Sequence, residues 1–542
     1  MSAAEPASFS LIDQPWLLVR VHDGETPELS LREVLTRAHE LTELLGDVPT
    51  QVFASTRLLL AVLHGALRGP RDVDHWLELW NAETLPVGSI DAYLDQHRER
   101  FDLLHPETPF FQVAGLHTTK GEMTGLDRLV ADVPNGQPFF STRLDPRLNL
   151  SFAEAARWVV HAQAFDPSGI KSGAVGDDRV KGGKGYPIGT GWSGFLGGVL
   201  PEGRTLKDTL LLNLIARDHG DTARSAEEDL PVWERAAVGP AEEEPGGRAP
   251  TGPVDLCTWQ SRRIRLDHDG ERVTGVLICN GERITPQDKH RVEPHSGWRR
   301  STAQEKKLGR SPVYMPREHA PQRAVWRGLQ SLLPGAERPQ GDEAAPFLSP
   351  PVLEWVGEIT GDVGRDYPIR LRTIGMAYGS QSSTTEDVVD DVLDLRAVLL
   401  RQDAGHLVRP VLECAKAAED AARALGRLAG DLAAAAGCGR DEREGPSTRA
   451  GERGLAALDP LFRRWVQDVT AETDPTGAQV DWHTAARDVL RPLGRDLIAR
   501  APMTAWTGRV VDGKLLTSNH AERTFLRRLR DVLPLAYSEN VS

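Results

Sequence analysis

Two glycine-rich segments near the middle of the chain contain residue types that bind phosphate. The run from Gly189 to Gly194 has the glycine spacing of a dinucleotide-binding loop, which requires a preceding strand, a following helix and an acidic residue about 20 positions later. Residues 195–201 are a poor start for such a helix. The run from Gly182 to Gly185 contains a lysine, but glycine stands where Ser or Thr would bind magnesium. One alternative therefore stays open, a nucleotide-dependent enzyme that uses residues 189–194.

The other candidate reactive residues do not combine into an active site. Ser193 lacks the spacing of a nucleophile elbow. The four cysteines form no Cys-x-x-Cys pair, and no histidine pair at metal-ligand spacing accompanies them. His290 and His295 lie in a basic stretch and are predicted to be solvated rather than ligands. We therefore predict a protein that is not an enzyme and holds no cofactor or metal.

Residues 374–387 carry a different kind of chemistry. Gly379 permits a tight backbone path, and Ser380, Gln381 and Ser382 place small polar groups at an exposed turn. A glutamine side chain is flat and uncharged, and it carries two donors and an acceptor. Such a side chain could enter a stack of base pairs without burying a charge. The alternative is a plain surface turn between two domains.

Length and composition limit the class of protein. The 542 residues, of which 40% are hydrophobic, suffice for two or three domains with proper cores. The sequence has no uninterrupted apolar stretch of about 18 residues, so no membrane span is predicted. Residues 1–9 lack the pattern of a signal peptide. The scattered cysteines exclude a disulfide framework, so a cytoplasmic location is expected. The net charge of −14 argues against non-specific coating of nucleic acid, although a local basic site is compatible with it.

The elements that must position these residues change in character along the chain. Upstream of the turn the sequence is irregular, with short strand-like runs and with helices predicted over residues 31–45, 50–67 and 151–164. Residues 236–253 are rich in Pro, Glu and Gly and are predicted to form an exposed linker.

From residue 385 to residue 535 the pattern is helical, and Ser383 with Glu386 predicts a capping box at its start. Residues 437–454 are predicted to be a flexible loop within this region. About four amphipathic helices of this length predict a bundle. The fold class is therefore α+β: a large mixed N-terminal domain with short sheets, residues 1–380, followed by a C-terminal four-helix bundle, residues 381–542.

Several segments resemble one family in their order and spacing. They are Leu-Ile-Asp-Gln-Pro-Trp at 11–16, Pro-Phe-Phe-Gln at 109–112, Leu-Leu-Leu-Asn-Leu at 210–214, Trp259 with Gln260, and the turn from Tyr378 to Gln381. Together they resemble the CasA family of large subunits of the type I-E CRISPR surveillance complex, Cascade. The resemblance spans nearly the whole chain, including the helical bundle.

The resemblance implies a set of DNA-binding residues. CasA-like proteins recognise the protospacer-adjacent motif of double-stranded DNA mainly from the minor groove, and they insert a glutamine wedge beneath it. Gln381 matches the wedge, with Ser380 and Ser382 on either side. A loop that approaches the minor groove corresponds to residues 167–173, whose candidate contacts are Ser168, Gly169 and Lys171.

Two further features of the family have less direct counterparts. Some relatives place a lysine in the minor groove after the β-meander; the matching residues 280–282 contain none, so Arg283 and Lys289 are candidates. Another loop of the family, with a Phe and a nearby polar residue, contacts the rest of the complex and the 5′ end of the guide. Phe140 and Thr142 occupy its place.

The resemblance thus implies a non-catalytic subunit that recognises the motif, initiates unwinding and R-loop formation, and helps recruit a helicase–nuclease in antiviral defence. Its partners would be other Cascade subunits, the CRISPR guide RNA, double-stranded target DNA and the helicase–nuclease effector, with no membrane. Two alternatives remain, the nucleotide-dependent enzyme and a structural scaffold subunit without DNA contact.

Overall fold

A computed structural model describes residues 7–131, 148–220, 227–336, 344–511 and 513–537. Contacts divide the chain into two compact units. Unit 1 comprises residues 1–323, 339–362 and 369–392; unit 2 comprises residues 324–338, 363–368 and 393–542.

Unit 1 is built from many short elements. Its helices, wholly or mostly within the unit, are α1 (Leu31–Thr36), α2 (Pro49–Leu67), α3 (Val73–Asn81), α4 (Val87–Gln96), α5 (Phe152–Phe165), α6 (Leu206–Asn213), α7 (Pro253–Cys257), α8 (Thr302–Leu308) and α9 (Pro351–Val363). Its strands are β1 (Leu17–Val21), β2 (Glu28–Leu29), β3 (Leu41–Leu44), β4 (Lys171–Ser172), β5 (Lys184–Gly185), β6 (Gly198–Glu202), β7 (Arg262–His268), β8 (Val273–Asn280), β9 (Trp298–Arg300), β10 (Tyr314–Pro316), β11 (Phe347–Leu348), β12 (Pro368–Tyr378) and β13 (Thr385–Arg396).

These strands form four small sheets rather than one large sheet. Their strand orders are β2-β1-β3, β5-β4-β8-β7, β10-β9-β11 and β13-β12-β6. Most neighbours are antiparallel, while β4 runs parallel to β8, with Ser172 opposite Cys279. The short sheets and mixed helices confirm the predicted α+β class.

Helix α2 is the central helix of unit 1. Every residue from Thr50 to Leu63 is buried, because α4, α5, α6 and α7 pack around it. Its length and apolar composition would also suit a membrane crossing, but 78% of its most apolar window is buried inside the structure. Helix α2 therefore serves as a core helix, as the apolar spacing predicts.

A fully buried ion pair joins α2 to the segment before β9. The Arg57 guanidinium donates to both oxygens of Glu293, at 2.7 and 2.9 Å. The same carboxylate accepts Trp192 Nε1 at 2.6 Å and the His295 backbone amide at 2.9 Å. Burial alone would raise the pKa of Glu293, but the charge of Arg57 together with the hydrogen bonds from Arg57 and Trp192 lowers it. Glu293 thus stays ionised with its acceptors satisfied.

The sequence predicts that His295 is solvated, and this prediction is wrong. His295 is buried beside the Arg57–Glu293 pair. Arg57 Nη1 lies 3.2 Å from His295 Nδ1, and because a guanidinium can only donate, Nδ1 must be the unprotonated nitrogen. Burial, reinforced by the charge of Arg57, lowers the pKa of His295 to about 3. The ring is therefore neutral, and its acceptor nitrogen helps to satisfy the arginine.

Several predicted element boundaries were wrong. Residues 385–396 form strand β13 rather than a helix, and they pair with β12 in one hairpin. The predicted capping box is absent, since Ser383 Oγ donates to the carbonyl of Ser380 at 2.9 Å. Residues 31–45 split into α1 and β3. The predicted linker 236–253 is held instead by Arg263, which donates to the carbonyls of Gly239 and Ala241 at 2.7 and 2.8 Å.

Unit 2 is a helical bundle. The helix α10 packs against three other long helices, α11, α12 and α14, which confirms the predicted four-helix bundle. The flexible loop predicted at 437–454 is largely helical, since α11 begins at Glu444. The elements are α10 (Gly405–Ala436), α11 (Glu444–Gln467), α12 (Pro475–Ala499), α13 (Met503–Thr507), α14 (Ser518–Val532), β14 (Arg509–Val511) and β15 (Lys514–Leu516).

Small residues let α10 and α11 approach closely. A Cβ added to Gly454 would lie 3.3 Å from the Cβ of Ala422, and one added to Gly426 would lie 2.7 Å from the carbonyl oxygen of Ser447. The many alanines of α10 therefore serve close packing.

The Arg57–Glu293 pair makes a stability prediction. We expect Glu293→Gln to lower the urea midpoint of unfolding strongly, because Arg57 would remain charged and buried without its counter-ion, which costs about 3–5 kcal/mol. The control is Glu40→Gln, whose 2.8 Å pair with Arg37 lies on the surface and should leave the midpoint unchanged. Equal midpoints for the two variants would contradict this role.

Candidate nucleic-acid interface

The turn between β12 and β13 presents Gln381 to solvent. Its base is closed by a hydrogen bond from the Gly379 amide to the Thr384 carbonyl at 3.0 Å, and the Ser382 amide donates to the Gly379 carbonyl at 2.9 Å. The side chains of Ser380 and Gln381 are exposed, and Ser382 is half-buried. Strand β12 pairs with β6 over five residue pairs from Arg370 to Ile374. The turn is thus an exposed tip on a well-supported hairpin.

The backbone of this tip is strained. Gln381 and Ser382 have φ angles of 56° and 53°, in the left-handed region that costs a non-glycine residue roughly 1–2 kcal/mol. Strain of this kind is concentrated at binding and catalytic sites, where the surrounding structure enforces it. The observation favours a functional tip over a plain surface turn.

The loop 167–173 follows the last turn of α5 and is held from below by Arg262. This arginine on β7 is buried, and its Nη2 donates to the carbonyls of Asp166, Pro167 and Gly189 at 3.1, 3.1 and 2.8 Å. Its Nε donates to Asp166 Oδ2 at 2.5 Å. One guanidinium therefore fixes the start of the loop and the neighbouring glycine-rich segment together.

Lys171 points inward in this arrangement. Its ammonium lies 2.5 Å from Asp166 Oδ2, the oxygen that also accepts from Arg262. Burial would raise the pKa of Asp166, but the charges of Lys171 and Arg262 lower it. Burial lowers the pKa of Lys171, although Asp166 opposes the change. The lysine thus supports the loop from inside. The family resemblance had instead implied that its side chain contacts DNA.

The structure brings the Gln381 turn and the 167–173 loop together. Tyr378, at the end of β12, donates its hydroxyl to the carbonyl of Phe165, the last residue of α5, at 2.6 Å. A Cβ added to Gly169 would lie 3.9 Å from the Cβ of Ser383. Gly169 has a φ of +128°, a conformation that side-chain-bearing residues rarely adopt. Segments more than 200 residues apart in sequence thus form one surface.

The other predicted contacts lie elsewhere or are covered. Ser168 is 8% exposed. Lys289 is half-buried and donates to the Gln287 carbonyl at 3.3 Å, and burial lowers its pKa. Arg283 is exposed and lies against Gly247 rather than against the loop. Phe140 and Thr142 lie outside the described residues.

The segment 189–194 is not a dinucleotide loop, so the nucleotide-dependent enzyme loses its site. A short 3-10 turn, Trp192–Phe195, follows where a helix is needed. A Cβ added to Gly191 would lie 2.5 Å from the carbonyl carbon of Ala164, and one added to Gly194 would lie 2.4 Å from the Tyr378 hydroxyl. These glycines permit close packing beneath the interface.

The sequence patterns did not indicate the two residues that organise this surface, Asp166 and Arg262. A signal was present, because an Asp-Pro pair directly after an apolar helix stops the helix and leaves a carboxylate at its end. The partner, Arg262, is almost 100 residues away, and no local pattern indicates that pairing.

Comparison with known proteins identifies the family. The family model for CRISPR-associated protein Cse1 matches residues 10–493 of the chain. The chain belongs to the Cse1 family. It is 30% identical over 506 residues to the CRISPR-associated protein CasA/Cse1 of Thermus thermophilus, covering 92% of this chain and 91% of that protein. The resemblance inferred from the ordered motifs is therefore confirmed.

Solved structures agree with this assignment. The crystal structure of Thermobifida fusca Cse1 has a TM-score of 0.91 and 47% identity, covering 98% of this chain and 99% of that one. A chain of a CRISPR RNA-guided surveillance complex has a TM-score of 0.69 and 22% identity, covering 97% and 100%. The second likeness is one of fold.

The Arg262 contacts generate a local prediction for this Cse1-family chain. Arg262→Met should accelerate amide hydrogen exchange across residues 166–173 about tenfold or more, because buried groups left without partners cost about 1–3 kcal/mol each. The control is Arg265→Met, on the exposed side of the same strand. Exchange measured by mass spectrometry should be unchanged in α10 of both variants. Unchanged exchange at 166–173 in Arg262→Met would contradict the anchoring role.

Proposed function

We propose that this chain is the non-catalytic large subunit of a type I-E RNA-guided surveillance complex, Cascade. In that complex it recognises the protospacer-adjacent motif of duplex DNA from the minor groove and starts strand separation. Membership of the Cse1 family supports the subunit role, as does the fold shared with a chain of a CRISPR RNA-guided surveillance complex.

The observation that carries the DNA-binding part is the close approach of the Gln381 turn to the Gly169 loop. A minor groove is only about 6 Å wide and offers mainly acceptors in a degenerate pattern. A loop tipped by glycine can approach such a groove with its backbone. The adjacent turn then lies in position to reach the base step beside it. One surface thus combines a groove probe with a wedge.

The chemistry of Gln381 suits a wedge. Inserting a side chain between base pairs costs a few kcal/mol of unstacking per step. A charged side chain would add the much larger cost of losing its hydration, while an amide must only exchange hydrogen bonds. The exposed Ser380 and half-buried Ser382 beside it are small enough to let the tip enter, and their hydroxyls can bond to the exposed base edges.

The proposed roles of the cationic residues differ. Lys171 positions the loop through Asp166, so the contact of the loop with DNA is assigned to the backbone around Ser168 and Gly169. Arg283 and Lys289 remain proposed counterparts of the minor-groove lysine of relatives. Arg283 has the more accessible side chain of the two.

The remaining partners follow from the proposed place in Cascade. Phe140 and Thr142 are proposed to contact other Cascade subunits and the 5′ end of the guide RNA. The chain also helps to recruit the helicase–nuclease, and the complex works in the cytoplasm. Unit 1, whose residues largely coincide with the predicted domain 1–380, carries the proposed DNA contacts. Unit 2 supplies the helical bundle. A scaffold subunit without DNA contact is the alternative to be tested.

The test compares Gln381→Ala with Gln402→Ala, which truncates an exposed glutamine outside the turn, in the assembled complex. If Gln381 is a wedge, its loss should reduce R-loop formation on linear duplex about tenfold, which corresponds to about 1.36 kcal/mol of barrier. The defect should shrink on negatively supercoiled DNA, because supercoiling supplies opening energy, and it should nearly vanish on a target with pre-melted first pairs. Permanganate footprinting measures the yield. Gln402→Ala should match wild type on all three substrates.

The outcomes separate the alternatives. An equal loss on all three substrates would assign Gln381 to folding or assembly. No loss on any of them would favour the scaffold. Gln381→Gly adds a stability check: glycine adopts positive φ without strain, so this variant should lose the wedge while its thermal midpoint stays at or above that of wild type.

A further inference from the structure

A hairpin beside the candidate interface ends in a two-residue turn flanked by lysines. Lys181 and Lys184 exchange backbone hydrogen bonds, at 3.0 and 3.2 Å. Gly182 and Gly183 between them have φ angles of +60° and +75°, as a type I′ turn requires. Residues that face each other across such a ladder project their side chains from the same face. The two ammonium groups therefore lie on one side of the turn.

Strand pairing connects this turn directly to the 167–173 loop. In the β4–β5 ladder, Lys171 lies opposite Gly185 and Ser172 opposite Lys184. The Gly173 amide donates to the Gly183 carbonyl at 3.0 Å. At the end of β8, Asn280 Nδ2 donates to the Tyr186 carbonyl, just after β5, at 2.6 Å. The base of the turn is thus held firmly against the loop.

Within the part of the chain that the structure describes, no ion pair neutralises the charges of the turn. Both lysines are exposed, and neither has a carboxylate partner among the residues that the structure describes. Like charges placed directly opposite each other destabilise a ladder. Lys171, only a strand away, is neutralised by Asp166. The turn therefore offers two adjacent cations whose repulsion a bound anion would relieve.

We propose that Lys181 and Lys184 bind backbone phosphate of the target duplex beside the motif. The inference rests on the proposed function, because that function brings the 167–173 loop into the minor groove. Neighbouring strands lie about 4.8 Å apart and the groove is about 6 Å wide. A turn one strand away from the loop then lies at the phosphate rim of the groove. The contact adds affinity without reading sequence, since phosphates carry no sequence information.

The experiment uses the complex assembled with Lys181→Ala/Lys184→Ala. The matched control is Lys306→Ala/Lys307→Ala, which removes two exposed lysines from α8 of the same unit. Duplex affinity is measured at several salt concentrations, on targets with the preferred and with an altered motif. Each neutralised phosphate contributes about 0.9 to the slope of log K against log salt, so the test variant should flatten the slope by about 1 to 2. Its motif preference should equal that of wild type.

The control and an Arg variant, Lys181→Arg/Lys184→Arg, should keep the wild-type slope. A slope equal to that of the control, with motif preference intact, would overturn the lysine contact and leave the proposed function standing. Absence of motif-dependent binding in the wild-type complex would overturn both. If the Ala variant fails to enter the complex on gel filtration while folding normally, the lysines bind another subunit or the guide, and the inference is also wrong.

Discussion

Unit 1 depends on the buried hydrogen bonds and ion pair that the carboxylate of Glu293 makes. This carboxylate lies in the interior and accepts two donors from Arg57, one from Trp192 and one from a backbone amide. Three separate parts of the chain converge on it: the core helix, the glycine-rich segment and the approach to β9. A buried charge is tolerated only when its partners are all present. The core therefore sets the position of Trp192. Gly189, whose carbonyl accepts from Arg262, is three residues before Trp192, so its position depends on the core as well.

This dependence explains how an acidic protein can carry the proposed nucleic-acid surface. Several arginines near the interface, including Arg57, Arg262 and Arg263, are buried and bonded to carboxylates or carbonyls. They stabilise loops from within and contribute little accessible positive charge. Apart from the lysine turn at 181–184, what reaches solvent at the Gln381 turn and the 167–173 loop is mostly backbone, an amide and hydroxyls. Such a surface favours shape recognition of a groove over indiscriminate attraction to phosphate.

How much of this the sequence reveals depends on the range of the interactions. Local signals sufficed for α2, for the bundle, and for α5, where Ser151 and Glu154 form the reciprocal capping bonds that their spacing suggests. The exposed position of Gln381 was also predictable from turn chemistry. Strand β13 was missed because its valines and leucines also fit a helical spacing, and only pairing with β12 decides between the two. Asp166 pairs with Lys171, and Arg263 donates hydrogen bonds to the predicted linker 236–253. A pattern along the sequence does not contain these contacts.

The left-handed backbone at Gln381 and Ser382 also limits how this tip can vary between related chains. β-Branched side chains are nearly excluded by those dihedral angles, whereas Gly, Asn and Asp fit them readily. Of these readily accommodated residues, none has the reach of glutamine. Longer unbranched side chains such as Lys or Arg meet the same backbone cost as glutamine, but they would bring a charge to the tip and add the cost of losing its hydration. If the proposed function holds, diversification of motif preference is then easier on the 167–173 side, where the proposed backbone contact can be moved by altering the supports beneath it.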